Sequence, residues 1–94
     1  MDKAEARRIA GEKVAELRSQ SYNQLRRLLK PENIETAEIK HGNVTYQIEA
    51  YAVWDDREDG NLRVFVMIDD GGWRSIVPLS TGFIIAPDGS FIGE

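Results

Sequence analysis

The apolar pattern changes period once, near residue 34, and that change limits the folds open to this chain. Before it, apolar residues recur close to every 3.6 positions; after it, they alternate. A helical pattern does not sit as a strand, and an alternating one does not face a core as a helix. The order is therefore helices first and strands after. Strands that follow one another through short turns build an antiparallel sheet, and such a sheet buries one face under helices.

Residues 4–18 read as a helix. Ala4, Ala6, Ala10 and Ala15 favour it, while Ile9, Val14 and Leu17 recur on one side. Gly11 weakens its middle by about 1 kcal/mol relative to alanine. Ser19-Gln20-Ser21 interrupts, and Ser21-Tyr22-Asn23-Gln24 has the form of a capping box, serine and glutamine each satisfying the other's backbone amide. A short second helix, about 22–29, follows with Tyr22, Leu25, Leu28 and Leu29 as its apolar stripe. Pro31 ends it.

Alternation is cleanest over Asn43–Trp54. Val44, Tyr46, Ile48, Ala50, Ala52 and Trp54 fall on one face, called A; Thr45, Gln47, Glu49, Tyr51 and Val53 fall on the other, B. Leu62, Val64, Val66 and Ile68 alternate with Arg63, Phe65 and Met67 in the same way. Turn residues then propose a register. A two-residue His41-Gly42 turn pairs Ile39 with Val44 and Ala37 with Tyr46. A three-residue Glu58-Asp59-Gly60 loop, with Gly60 left-handed, pairs Trp54 with Val64, Ala52 with Val66 and Ala50 with Ile68. On face B it sets Tyr51 opposite Met67 and Val53 opposite Phe65. An Asp70-Gly71 turn pairs Ile68 with Trp73 and Val66 with Ser75. That strand runs to about Leu79, with Pro78 marking an edge or an end. Phe83–Ala86 and Ser90–Ile92 flank Pro87-Asp88-Gly89 as a small final hairpin, whose place in the sheet the period leaves open. The whole chain, 1–94, reads as one α+β domain: an N-terminal helix and a short second helix on face A of a meandering sheet of about four strands.

Composition narrows the chemistry. The chain has no cysteine, so disulfides and thiolate metal sites are excluded, which suits a reducing cytoplasm. Its charged N-terminus lacks the apolar run of a signal peptide, and no window is apolar enough to span a membrane. Residues 1–31 hold eight Lys/Arg and four acids, whereas residues 32–94 hold four and twelve. Such asymmetry marks either a nucleic-acid-binding face through Arg7, Arg8, Arg26 and Arg27, or a basic helix packed beside an acidic sheet edge. The net charge of −4 and the interleaved Glu5, Glu12 and Glu16 favour the second.

Asp55-Asp56-Arg57-Glu58-Asp59-Gly60 begins like a calcium loop. It fails at its third position, Arg57, and at its twelfth, Val66, where a glutamate belongs. Acidic hairpin turns are the simpler reading. A second group, His41, Asp69, Asp70 and Asp88, is expected together at the opposite end of the sheet. It offers one imidazole and no convergent set. Ser75, Ser80 and Ser90 lack a nucleophile setting, and no glycine-rich strand-to-helix loop exists to cradle phosphate. No catalytic, cofactor-binding or metal residues are assigned. A pocket between helix and sheet, lined by Tyr22, Tyr46, Trp54 and Trp73, is the small-molecule alternative, although these are ordinary core aromatics.

Face B is the most informative surface. Tyr51, Val53, Phe65, Met67 and Ile76 are expected to cluster there, rimmed by Gln47, Glu49, Arg63 and Arg74. An apolar patch with a polar rim marks an association site unless the chain's own Phe83–Ile85 or Phe91-Ile92 folds over it. The function expected is a non-enzymatic interaction module, a homodimer or a binder of another protein. Ser21–Leu28 and Phe83–Glu94, about a fifth of the chain, resemble the short bacterial α+β domains grouped as uncharacterised families. That resemblance implies no activity and carries no functional residue over.

Overall fold

The structure, a computed structural model, describes residues 2–71 and 79–93. Helix α1 spans Lys3–Arg18, opened by the Asp2 side chain, which accepts from the Glu5 amide. Helix α2, Tyr22–Leu25, begins on the expected capping box: Ser21 and Gln24 each accept the other's backbone N–H. It tightens into a 3-10 turn over Arg26–Leu29. Pro31 ends that turn and also opens another, Pro31–Asn33, whose first position suits its fixed φ.

Strands β1 (Glu35–His41), β2 (Val44–Trp54), β3 (Leu62–Asp69), β4 (Leu79–Ile85) and β5 (Phe91–Ile92) follow. They form one antiparallel sheet in chain order, so the final hairpin extends the main sheet. Face A carries the core. Tyr46, Ile48, Ala50, Ala52, Leu62, Val64, Val66, Ile68, Phe83 and Ile85 are buried against Ile9, Leu17, Leu25 and Leu28. Helix α1 lies over β3 and β4, and the Arg26–Leu29 turn lies over β2. β1 projects beyond the helices. Ile39 and Val44 are on face A as expected, yet stay 36% and 37% exposed.

Both of the first two hairpins keep the expected faces and shift the expected pairing by two residues. The first turn is Gly42-Asn43, so His41 pairs with Val44, Ile39 with Tyr46 and Ala37 with Ile48. Gly42 takes φ 62° at the first central position of the turn, the place glycine holds in a type II′ hairpin. In the second, Trp54 pairs with Leu62, Ala52 with Val64 and Ala50 with Val66. Its loop is longer, closed by the Asp55 amide on the Asn61 carbonyl. Asp59, not Gly60, is left-handed. Gly60 is needed for space: a Cβ there would lie 2.5 Å from Asp56 Oδ1. On face B, Tyr51 consequently faces Phe65, Val53 faces Arg63, and Met67 faces Glu49.

The third hairpin departs further. Ile68 pairs with Leu79 and Val66 with Thr81, in the places expected for Trp73 and Ser75. Leu79 lies in a strand that runs on to Ile85 and does not close at Leu79. Trp73, Arg74, Ser75, Ile76 and Pro78 lie outside the described residues. Because a single strand joins this turn to the last one, Ile85 stands in the row of Trp54 and Leu62. The Pro87–Gly89 turn, with Asp88, is therefore at the end of Asp55–Asp59, and not beside His41 and Asp69.

Candidate interaction surface

Face B is assembled by the register just described. Its central row is Tyr51, Phe65 and Gly82; the next is Val53, Arg63, Ile84 and Ile92. The Tyr51 and Phe65 rings stack with centroids 5.2 Å apart and planes 23° apart, a favourable cross-strand aromatic pair. Tyr51 Oη donates to Met67 Sδ at 3.5 Å, joining the third residue to the pair. Val53 and Ile92 are each 42% exposed. Tyr51, Phe65, Met67 and Ile84 are half-buried, and none of the described helices is packed on their side of the sheet.

Four of the five expected face residues, Tyr51, Val53, Phe65 and Met67, are thus brought together. Ile76 lies outside the described residues; the position beside Phe65 on β4 is Gly82. A Cβ at Gly82 would fall 2.0 Å from the Val64 carbonyl oxygen. The glycine lets β4 approach β3 closely and leaves a depression beside the Phe65 ring, bordered by Ile84 and Ile92. Neither Ile84 nor Ile92 was expected on this face. Their signal was present in the strict alternation Phe83-Ile84-Ile85, which puts Ile84 opposite to its neighbours. The C-terminal segment does not fold over face B; it lengthens the sheet, and its Phe83, Ile85 and Phe91 turn to the helix side.

Polar groups frame the patch unevenly. Gln47, Glu49 and Asp69 mark one end, and Gln47 Nε2 donates to Glu38 Oε1 at 3.0 Å. Arg63 marks the other, held 2.7 Å from Asp55 Oδ1.

The remaining candidates are accounted for by packing and pairing. Tyr22 and Tyr46 are core residues. Tyr22 Oη donates to the Gly60 carbonyl at 2.6 Å, tying α2 to the Asp55–Asn61 loop. Trp54 is half-buried under the Arg26 guanidinium, 5.1 Å from the ring centroid. Trp73 lies outside the described residues, so these aromatics line no common pocket within them. A helix–sheet cleft of about 250 Å³ lies instead between α1 and β1, floored by Ile9, Ala37, Ile39 and Ile48. Its charged wall is already satisfied: Lys13 Nζ lies 2.6 Å from Glu35 and 3.1 Å from Glu16, and Arg27 also holds Glu35. The Lys13 ammonium, with Arg27 behind it, keeps the Glu35 carboxyl below its usual range despite partial burial. Burial would lower Lys13, but the bonds to Glu35 and Glu16 outweigh it and raise it.

No family model, no curated protein and no solved structure matches the chain.

The basic helical residues are largely engaged within the molecule. Arg8 pairs with Glu5 and Glu12, Arg26 with Asp59, and Arg27 with Glu35. Arg18 sits 4.2 Å over the Phe91 ring. The acidic turns are equally occupied. Asp55 holds Arg63. Asp56 accepts the Arg57 and Asn61 amides; its desolvation would raise it, but these bonds hold it low. Ser90 hydrogen bonds lower Asp88. His41 Nδ1 approaches Glu5 at 3.2 Å, a contact across the helix–sheet seam that spacing did not suggest. Among the described residues, no group of three or more His, Asp or Glu is placed to hold a metal ion. No helix among the described residues is long and apolar enough to cross a membrane.

Proposed function

We propose that the protein is a non-enzymatic interaction module whose face B takes a second copy of the same chain. The observation that carries this reading is the bare, stacked Tyr51–Phe65 pair with Val53, Met67, Ile84 and Ile92 around it. Aromatic and methionine side chains at the centre of a polar-rimmed patch are the composition of an association surface. The rim supports a second copy. In a two-fold pair of sheets stacked with strands reversed, Arg63 of each copy lies over the Gln47–Glu49–Asp69 end of the other. Isologous pairing of one patch with itself is also the commonest route to a homodimer. A chain without cysteine is suited to a reducing cytoplasm.

The basic residues favour this over nucleic-acid binding, since Arg8, Arg26 and Arg27 already meet carboxylates. Light scattering of the wild type and of Phe65→Asp tests the reading. A charge at the centre of the patch is expected to lower the mass below that of the wild type at the same concentration, with the circular dichroism spectrum unchanged. An identical mass for both proteins would overturn it.

A further inference from the structure

We propose a second, independent site for another copy: the free edge of β1, paired antiparallel to its symmetry mate about Ile39. β1 is an edge strand of seven residues, Glu35–His41, with no neighbour on its outer side among the described residues. The two-residue turn at Gly42-Asn43 makes His41/Val44 a hydrogen-bonded pair. Bonded pairs alternate, so Ile39 and Ala37 also spend their backbone groups on β2. Thr36, Glu38 and Lys40 then direct theirs outward, as an unsatisfied row open to pairing.

Edge strands exposed this way are usually blunted by proline, a bulge or charged side chains. This one has no proline and no bulge, and the charges it carries are of both signs. Its outward charges alternate in sign, Glu38 then Lys40, and two-fold pairing about Ile39 sets each Glu38 directly opposite the other copy's Lys40. Lys40 has no ion-pair partner among the described residues, and Glu38 bonds only Gln47. The same register brings Ile39 against Ile39 on face A, the 36%-exposed residue that the helices leave uncovered, at a non-bonded position where side chains come closest. Ala37 then stands opposite His41. Moving the centre to Glu38 would set glutamate against glutamate, which disfavours that register. The result is a continuous sheet across two copies, with both helical layers on the same side.

The site does not depend on face B, so the two are separable. Sedimentation velocity in the Phe65→Asp background reads β1 alone. That protein is expected to remain a concentration-dependent dimer. Adding Glu38→Lys puts lysine opposite lysine twice and is expected to weaken the dimer by about tenfold or more. Adding Lys40→Glu to it restores the opposite charges and the dimer. In parallel, amide exchange of Glu38 and Lys40 in the wild type should slow as concentration rises, a readout that needs no variant. A Phe65→Asp protein monomeric at every concentration, or a dimer indifferent to Glu38→Lys, overturns the edge proposal. So does amide exchange at Glu38 and Lys40 that never slows.

Discussion

Single residues decide the turns of this molecule, and they do so by space as much as by backbone conformation. Gly42 is required for its positive φ, whereas Gly60 and Gly82 are required because a Cβ would strike a neighbour. Composition alone cannot separate the two roles, which is why Gly60 was expected to be the left-handed residue that Asp59 proves to be. Aspartate tolerates that conformation better than most residues. Tyr22 is the other residue with a long reach: its buried hydroxyl satisfies the Gly60 carbonyl 38 positions away. Tyr22→Phe leaves that carbonyl without its partner. Chemical denaturation should show a loss of about 1–2 kcal/mol, with the slope against denaturant unchanged.

At the scale of elements, the period of the sequence made the faces legible and left the register open. A slip of one residue would turn the apolar set of β2 to solvent, so alternation forbids it. A slip of two preserves both faces, and nothing in the period opposes it. The first two hairpin pairings that turn chemistry proposed were off by that amount. β4 was misplaced for a different reason. The Asp70-Gly71 turn was expected to bring Trp73 opposite Ile68, the place Leu79 takes, and Gly82 sits inside β4 where the close approach to Val64 demands a glycine. The capping box of α2 was legible because serine and glutamine lie three apart on one local turn. The Lys13–Glu35–Arg27 group was not, since it joins α1, β1 and the Arg26–Leu29 turn through tertiary packing. It also carries a pH signature. Glu35 has a lowered folded-state pKa, so its contribution is fully present above the unfolded value of about 4.3 and disappears as pH falls through the folded value. Glu35→Gln should therefore cost about 1 kcal/mol near neutrality. In thermal melts from pH 7 to pH 3, the gap between wild type and variant should close at the acid end.

For the whole molecule, the helical layer is narrower than the sheet it covers. One layer on face A leaves face B without a helix among the described residues, and leaves β1 exposed beyond the helices on face A as well. A chain of 94 residues has few apolar side chains beyond those of a single core. Placing Tyr51, Val53, Phe65, Met67, Ile84 and Ile92 outside that core leaves them available for association. Four of these six were legible from alternation on β2 and β3; the other two depended on where the last hairpin joined. The fold class was legible almost entirely, and the chemistry of the acidic and basic segments only as a choice between internal pairing and an external partner. Face B is the surface proposed to meet another molecule, while the helix-covered core of face A stays within the molecule. Side-chain NMR of the wild type over a wide range of concentration tests it most directly. The Val53 and Met67 methyls and the Tyr51 and Phe65 rings should shift as concentration rises, while Val64, Val66 and Ile68 stay fixed. Signals that remain constant across face B, or that move only on face A, would contradict it.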